Sequence, residues 1–145
     1  MYEVIQIVHS YWAYLVVLVL ALATFNAIIK TLGKKPFGPQ DFRISLFTLI
    51  VSHLQLLIGL VLYFVSPYFN AFSEVGMKGV MQDSTLRLYL VEHPLTMIIS
   101  IVLITVGYSK HKKKLASNKK FRTIAIFYAL ALLLMLSRIP WNAWF

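Results

Sequence analysis

The chain reads as an all-α membrane protein, a four-transmembrane-helix bundle forming one domain over residues 1–145, with both termini outside. Three observations predict this. Hydrophobic residues make up 59% of the chain and charged ones 13%, against about 45–50% and about 25% in soluble domains. The apolar residues fall in four blocks, roughly 4–29, 44–66, 88–108 and 123–145. Each block has about 20 residues, enough for a helix rising ~1.5 Å per residue to cross a ~30 Å hydrocarbon core. The third observation is charge asymmetry. Of the 14 basic residues, 11 lie in the two segments that join the first block to the second and the third to the fourth. Cytoplasmic loops carry such an excess. Four of the five acids, Glu3, Glu74, Asp83 and Glu92, fall on the opposite side.

Each element follows from the same physics. No backbone group can stay unpaired in hydrocarbon, so the four blocks are expected to be helices. The first opens "MYEVIQIVHS", with Glu3 where a signal peptide carries basic residues, and is read as a retained span. The connector "TLGKKPFGPQDFR", with two Gly and two Pro, predicts a turn-rich loop. Segment 67–87 mixes aromatic and polar residues and is expected along the outer membrane surface, with Asp83 or Ser84 capping a helix that continues through Arg87 and His93. "SKHKKKLASNKKFR" reads as a solvated loop, and "RIPWNAWF" as an interfacial aromatic belt.

The net charge of +9 records topology, with membrane lipids as the contacts and no nucleic acid. The absence of cysteine excludes disulfides, thiolate chemistry and a cluster ligated by this chain.

Small and polar residues mark packing faces. Ala125 and Ala129 follow small-xxx-small spacing. His93, Thr96, Ser100 and Gly107 share a face of the third span; Ser52, Gln55, Gly59 and Tyr63 share one on the second; Ala13 follows His9 by one turn.

Ionisable residues inside spans point to function by default. His111 lies in the lysine-rich segment and is expected to be solvated. Counting ~1.5 Å per residue from each outer boundary puts His9 and His93 both ~7 Å deep, and His53 ~14 Å deeper. Two imidazoles level on two helices are what bis-histidine haem ligation requires. His9 and His93 are therefore the candidate metal ligands. Ala13, Thr96 and Ser100 are the small residues beside a flat ring. Arg138, with Arg87 as a second candidate, is the propionate partner. Competing readings are interhelical hydrogen bonding, favoured for His53 beside Ser52 and Gln55, and headgroup snorkelling for Arg138. Closed zinc sites want four ligands, and two histidines with one carboxylate supply three.

"SHLQLLIGLVLYFVSPY" followed by "LYLVEHPLTMIISIVLITVG" resembles one half of haem A synthase and its relatives. There an apolar helix carries a glutamine–x–x–x–glycine step, matched by Gln55 and Gly59. The next helix opens with a glutamate and a haem-ligating histidine, matched by Glu92 and His93. The chain is also similar to small bacterial membrane proteins labelled cytochrome b. The likeness covers mainly the second and third spans. It departs where the synthase signature continues with arginine and this chain has Pro94, and in a fourth span without histidine; the second ligand would then be His9. Pro94 is expected to kink the helix and aim His93 inward, with Glu92 turned toward the outer water.

The resemblance implies a multi-pass protein of the bacterial inner membrane. Taken with the histidines, it implies a b-type cytochrome that holds one haem b near the outer face for electron transfer, more an electron-transfer protein than a stand-alone enzyme. A quinol or an outer-side redox protein would be its partner. Alternatives are a haem-free accessory subunit of a larger membrane complex, or a small proton-coupled carrier using His53 and Glu92. Homo-oligomers are compatible with either.

Overall fold

A computed structural model describes residues 1–144. Four helices in it are long and apolar enough to cross a membrane: α1 (Tyr2–Leu32), α2 (Pro39–Val65), α3 (Ser84–Lys113) and α4 (Ser117–Arg138). In cross-section α1 packs on α2 and α4, and α3 packs on α4 and, less extensively, on α2. Thus α1 and α3 stand diagonally across the bundle.

The ends have local causes. Pro39 opens α2, where its missing N–H costs nothing. Asp41 accepts the Gly38 N–H at 2.8 Å and is also held by Lys30 Nζ at 2.6 Å and Asn26 Nδ2 at 2.9 Å, tying the start of α2 to the end of α1. Asp83 caps the next start, accepting the N–H groups of Thr85 and Leu86 at 2.9 and 3.1 Å. Helical structure then runs unbroken from Ser84 through Arg87 and His93 to Lys113, as the sequence predicts.

Three expectations need correction. The lysine-rich segment is mostly helix, and only Lys114–Ala116 is left between α3 and α4. Lysines are good helix formers, and at the last turn of α3 they also meet the negative end of the helix dipole. The fourth helix therefore starts at Ser117 and ends at Arg138, where Pro140 prevents continuation. "WNAW" forms a separate turn, with Trp144 stacked on Tyr14 of α1 at 4.4 Å. His111 is not solvated but fully buried, because α3 outlasts its apolar block and Phe37, Phe42 and Tyr108 surround the imidazole.

Segment 67–82 folds into short turns, Pro67–Asn70, Ala71–Glu74 and Gly76–Gln82. Gly76 joins the last two at φ 71°, a region that side-chain-bearing residues enter at a cost. Ala71, Val80 and Leu90 form a small core there, against Tyr63, Phe72, Leu86 and Val91.

The main core is lopsided. Fully buried positions run from Val16 to Ala27 on α1 and from Asp41 to Ser52 on α2. Beyond the π-turn they run from Ser100 to His111 on α3, and from Phe121 to Met135 on α4. On α1, α2 and α3 the buried sets lie toward the end of the bundle that carries the basic residues, while on α4 they run almost the whole length of the helix. Tyr128 crosses this core to donate to the Ser45 carbonyl at 2.9 Å. On α4 the central face is Phe121, Ile124, Tyr128, Ala131 and Met135; Ala125 and Ala129 flank it, only partly buried. Tyr128 fills space that a strictly small-residue contact would leave closed.

Orientation can be measured in a chain without cysteine. Lys34→Cys and Lys113→Cys should react with an impermeant thiol reagent only from the cytoplasmic side, and Met77→Cys only from outside. The reverse pattern would invert the bundle.

Candidate functional site

At the end opposite the basic loops, α1 and α3 bring His9 and His93 together. Their ring centroids are 6.2 Å apart with planes at 79°. The two residues expected at one depth are thus neighbours across the bundle diagonal.

His93 owes its setting to a break in helical register. Leu88–Glu92 forms a π-turn, and the His93 N–H reaches back five residues to the Leu88 carbonyl. Single π-turns add one residue to a helix and so rotate every later side chain about its axis. Pro94 comes next and has no N–H for the Leu90 carbonyl four residues earlier. Tyr63 of α2 takes that carbonyl instead, donating from its hydroxyl at 2.9 Å. The kink expected from Pro94 takes the form of a π-turn pinned to α2.

The His93 Nδ1–H donates to the Arg138 carbonyl at 2.9 Å. That carbonyl is one of the orphan acceptors at the C-terminus of α4, where the helix stops before Pro140. A carbonyl can only accept, so the neutral ring carries its lone pair on Nε2. A backbone partner on one nitrogen and a lone pair on the other is the usual setting of a metal-ligating histidine.

His9 is held from α2. Gln55 Nε2 donates to the His9 carbonyl at 2.8 Å. One turn on, Gly59 faces the imidazole: a Cβ there would lie 3.1 Å from His9 Cε1 and 3.6 Å from Nδ1. His9 Nδ1 is buried with no hydrogen-bond partner among the described residues. Sequence reasoning placed Gln55 and Gly59 on one face but did not connect them to His9; counting along α2 put Gln55 well below His9, so no depth signal linked them.

Ala13 and Thr96 are partly buried, and Ser100 is fully buried with its hydroxyl donating to the Thr96 carbonyl at 2.9 Å. No side chain between Tyr2 and Leu15 of α1, or between His53 and Val65 of α2, is fully buried. The histidines therefore sit in the less filled half of the bundle. His53 is elsewhere. Its Nδ1–H donates to the Leu49 carbonyl at 2.8 Å, and its Nε2 meets the Thr105 hydroxyl of α3 at 3.3 Å. Thr105 lies twelve residues beyond His93, about 18 Å along a helix, so His53 makes the interhelical contact that its neighbours suggested.

The two arginines converge on Glu92. Arg87 Nε lies 2.9 Å from Oε2, with Arg87 Nη1 donating to the Met81 carbonyl at 2.9 Å, and Arg138 Nε lies 3.8 Å from Oε1. Glu92 is thus an anchor between two guanidiniums rather than a free outer carboxylate. One negative and two positive charges leave the trio net cationic.

No group of three or more His, Cys, Asp or Glu side chains that could hold a metal ion occurs among the described residues. No family model, curated protein or solved structure matches this chain.

Proposed function

We propose that the protein is a membrane b-type cytochrome in which His9 and His93 would hold one haem b. The observation that carries this is the histidine pair. Two nitrogens bound at about 2.0–2.1 Å to one metal ion, each with its ring centroid ~1.1 Å behind, put the centroids about 6 Å apart. The pair lies at 6.2 Å. A bound haem would supply one-electron transfer.

The chain's own residues would do the rest. The Arg138 carbonyl fixes the His93 tautomer, and Gly59 and Gln55 set the position of His9. Ala13, Thr96 and Ser100 are the small residues that would stand beside the ring. Arg138 and Arg87, net cationic with Glu92, would receive propionates. With both basic loops in the cytoplasm, the site lies toward the outer face of a bacterial inner membrane. A quinol or an outer redox protein would exchange electrons there.

A second reading has its own support. Edge-to-face rings about 4.5–7 Å apart are ordinary packing, and His93 already has a structural task as the cap of α4. On that reading the less filled outer half is covered by a larger complex or a second copy, and the chain is a haem-free accessory subunit.

An absorption spectrum of the protein purified in detergent from haem-replete cells decides between them. A stoichiometric low-spin α-band in the reduced protein is expected. A colourless protein that gains no band when haem is added would refute the cytochrome reading.

A further inference from the structure

The end of the bundle away from the histidines carries a second site. An open surface depression lies between the α1–α2 loop and the start of α4, walled mostly by exposed residues: Thr31, Lys34, Lys35, Ser117, Asn118 and Arg122 among others. Three of these are cations. None of the three makes a side-chain hydrogen bond or ion pair within the described residues.

Among the described residues no carboxylate is placed to neutralise them. Of its five acids only Asp41 lies at this end, and its oxygens are taken by Lys30, Asn26 and the Gly38 N–H. The three exposed cations are therefore left to solvent or to an anion from outside the chain.

The depression is also built. The Phe37 N–H donates to Ser117 Oγ at 2.9 Å, clamping the loop onto α4 and setting Lys34 and Lys35 opposite Arg122. Lys34 has φ 52°, the one side-chain-bearing residue of the described chain at positive φ. Its N–H bonds the Thr31 carbonyl and that of Lys35 bonds Lys30, closing α1 as a Schellman turn. Glycine usually fills that left-handed position, because a side chain there crowds the following carbonyl. In this chain Gly33 stands one residue too early and a lysine bears the strain at the mouth of the depression. Ala116, the N-cap of α4, offers no side-chain cap to the first N–H groups of that helix, so further donors stand at the same wall.

The chemistry that fits is a phosphate anion. Free phosphate and a lipid headgroup share it, but the depression lies where two apolar helices leave their hydrocarbon-length runs. We infer that it is a binding site for the phosphate of an anionic phospholipid. This rests on the bundle lying in a membrane, and does not depend on haem.

The test is native mass spectrometry of the full chain from detergent, titrated with phosphatidylglycerol, phosphatidylcholine or inorganic phosphate. Phosphatidylglycerol should be retained over phosphatidylcholine. Lys34→Gln/Lys35→Gln/Arg122→Gln should weaken that retention by roughly fivefold for each cation removed. Arg43→Gln/Lys113→Gln/Lys114→Gln, an equal change in net charge at exposed positions outside the depression, should leave it close to that of the parent. Lys34→Arg/Lys35→Arg/Arg122→Lys should preserve it. Equal loss in both glutamine triples would mean diffuse attraction and overturn the site. No preference for phosphatidylglycerol over phosphatidylcholine would also overturn it. Displacement of lipid by an equal concentration of inorganic phosphate would assign the depression to the free anion and overturn the lipid.

Discussion

His9→Ala and His93→Ala are each expected to abolish the low-spin α-band or convert it to a high-spin form, while His53→Ala leaves ligation intact. The reason is geometric. His9 and His93 meet 6.2 Å apart across the bundle diagonal, whereas His53 is spent on Leu49 and Thr105. His93→Ala carries a second cost, because the Arg138 carbonyl loses its donor. The acceptor is exposed, so the loss should be near the net worth of an ordinary hydrogen bond, about 0.5–1.5 kcal/mol. His93→Asn separates the two roles, since an amide can still donate to a carbonyl but is a poor ligand for haem iron. The asparagine variant should fold close to wild type and still lose the band. Should His53→Ala destroy the spectrum while His9→Ala spares it, the second ligand would belong to α2 and the diagonal site would be wrong.

The largest effect on stability should come from Gly107. A Cβ there would overlap Cβ of Phe127 on α4, the closest approach met by any glycine of the described chain. Cβ atoms cannot swing away as the far end of a side chain can, so the α3–α4 pair must separate. Overpacking of this kind costs about 1–3 kcal/mol for one methyl group; Gly107→Val should exceed Gly107→Ala. Thermal unfolding in detergent, followed by circular dichroism, would measure it. Gly59→Ala is the control, with its Cβ 3.1 Å from a His9 ring atom that can shift. Its unfolding midpoint should move less, and its main consequence should be a displaced His9. An unchanged midpoint for Gly107→Val would mean that α3 and α4 do not pack this closely.

Much of the fold was legible because its causes are local. Four helices follow from apolar blocks of membrane length, and the Asp83 cap from a carboxylate just before a helix. The Ser52, Gln55, Gly59 and Tyr63 face follows from the 3.6-residue period. Gln55 does reach α1 and Tyr63 does reach α3. The shared depth of His9 and His93 was legible for a related reason: rise per residue is constant, so level residues on two spans can be found by counting. His111 shows where such counting stops. Its lysine neighbours look like a solvated loop, but aromatic residues more than sixty positions earlier fold over it.

The sequence by itself determined the number of helices of membrane length, the basic and acidic ends, and that His9 and His93 stand level. These depend on composition and periodicity, which act within one helix. Only the tertiary structure decided which helices stand diagonal and which nitrogen of His93 holds the Arg138 carbonyl. It also decided that Glu92 joins two arginines, and that Pro94 hands the Leu90 carbonyl to Tyr63. Each of these pairs groups from different helices, or across a π-turn that shifts the register of everything after it. A period read along one helix carries no information about the rotation of its neighbour, and that rotation sets every contact at the site.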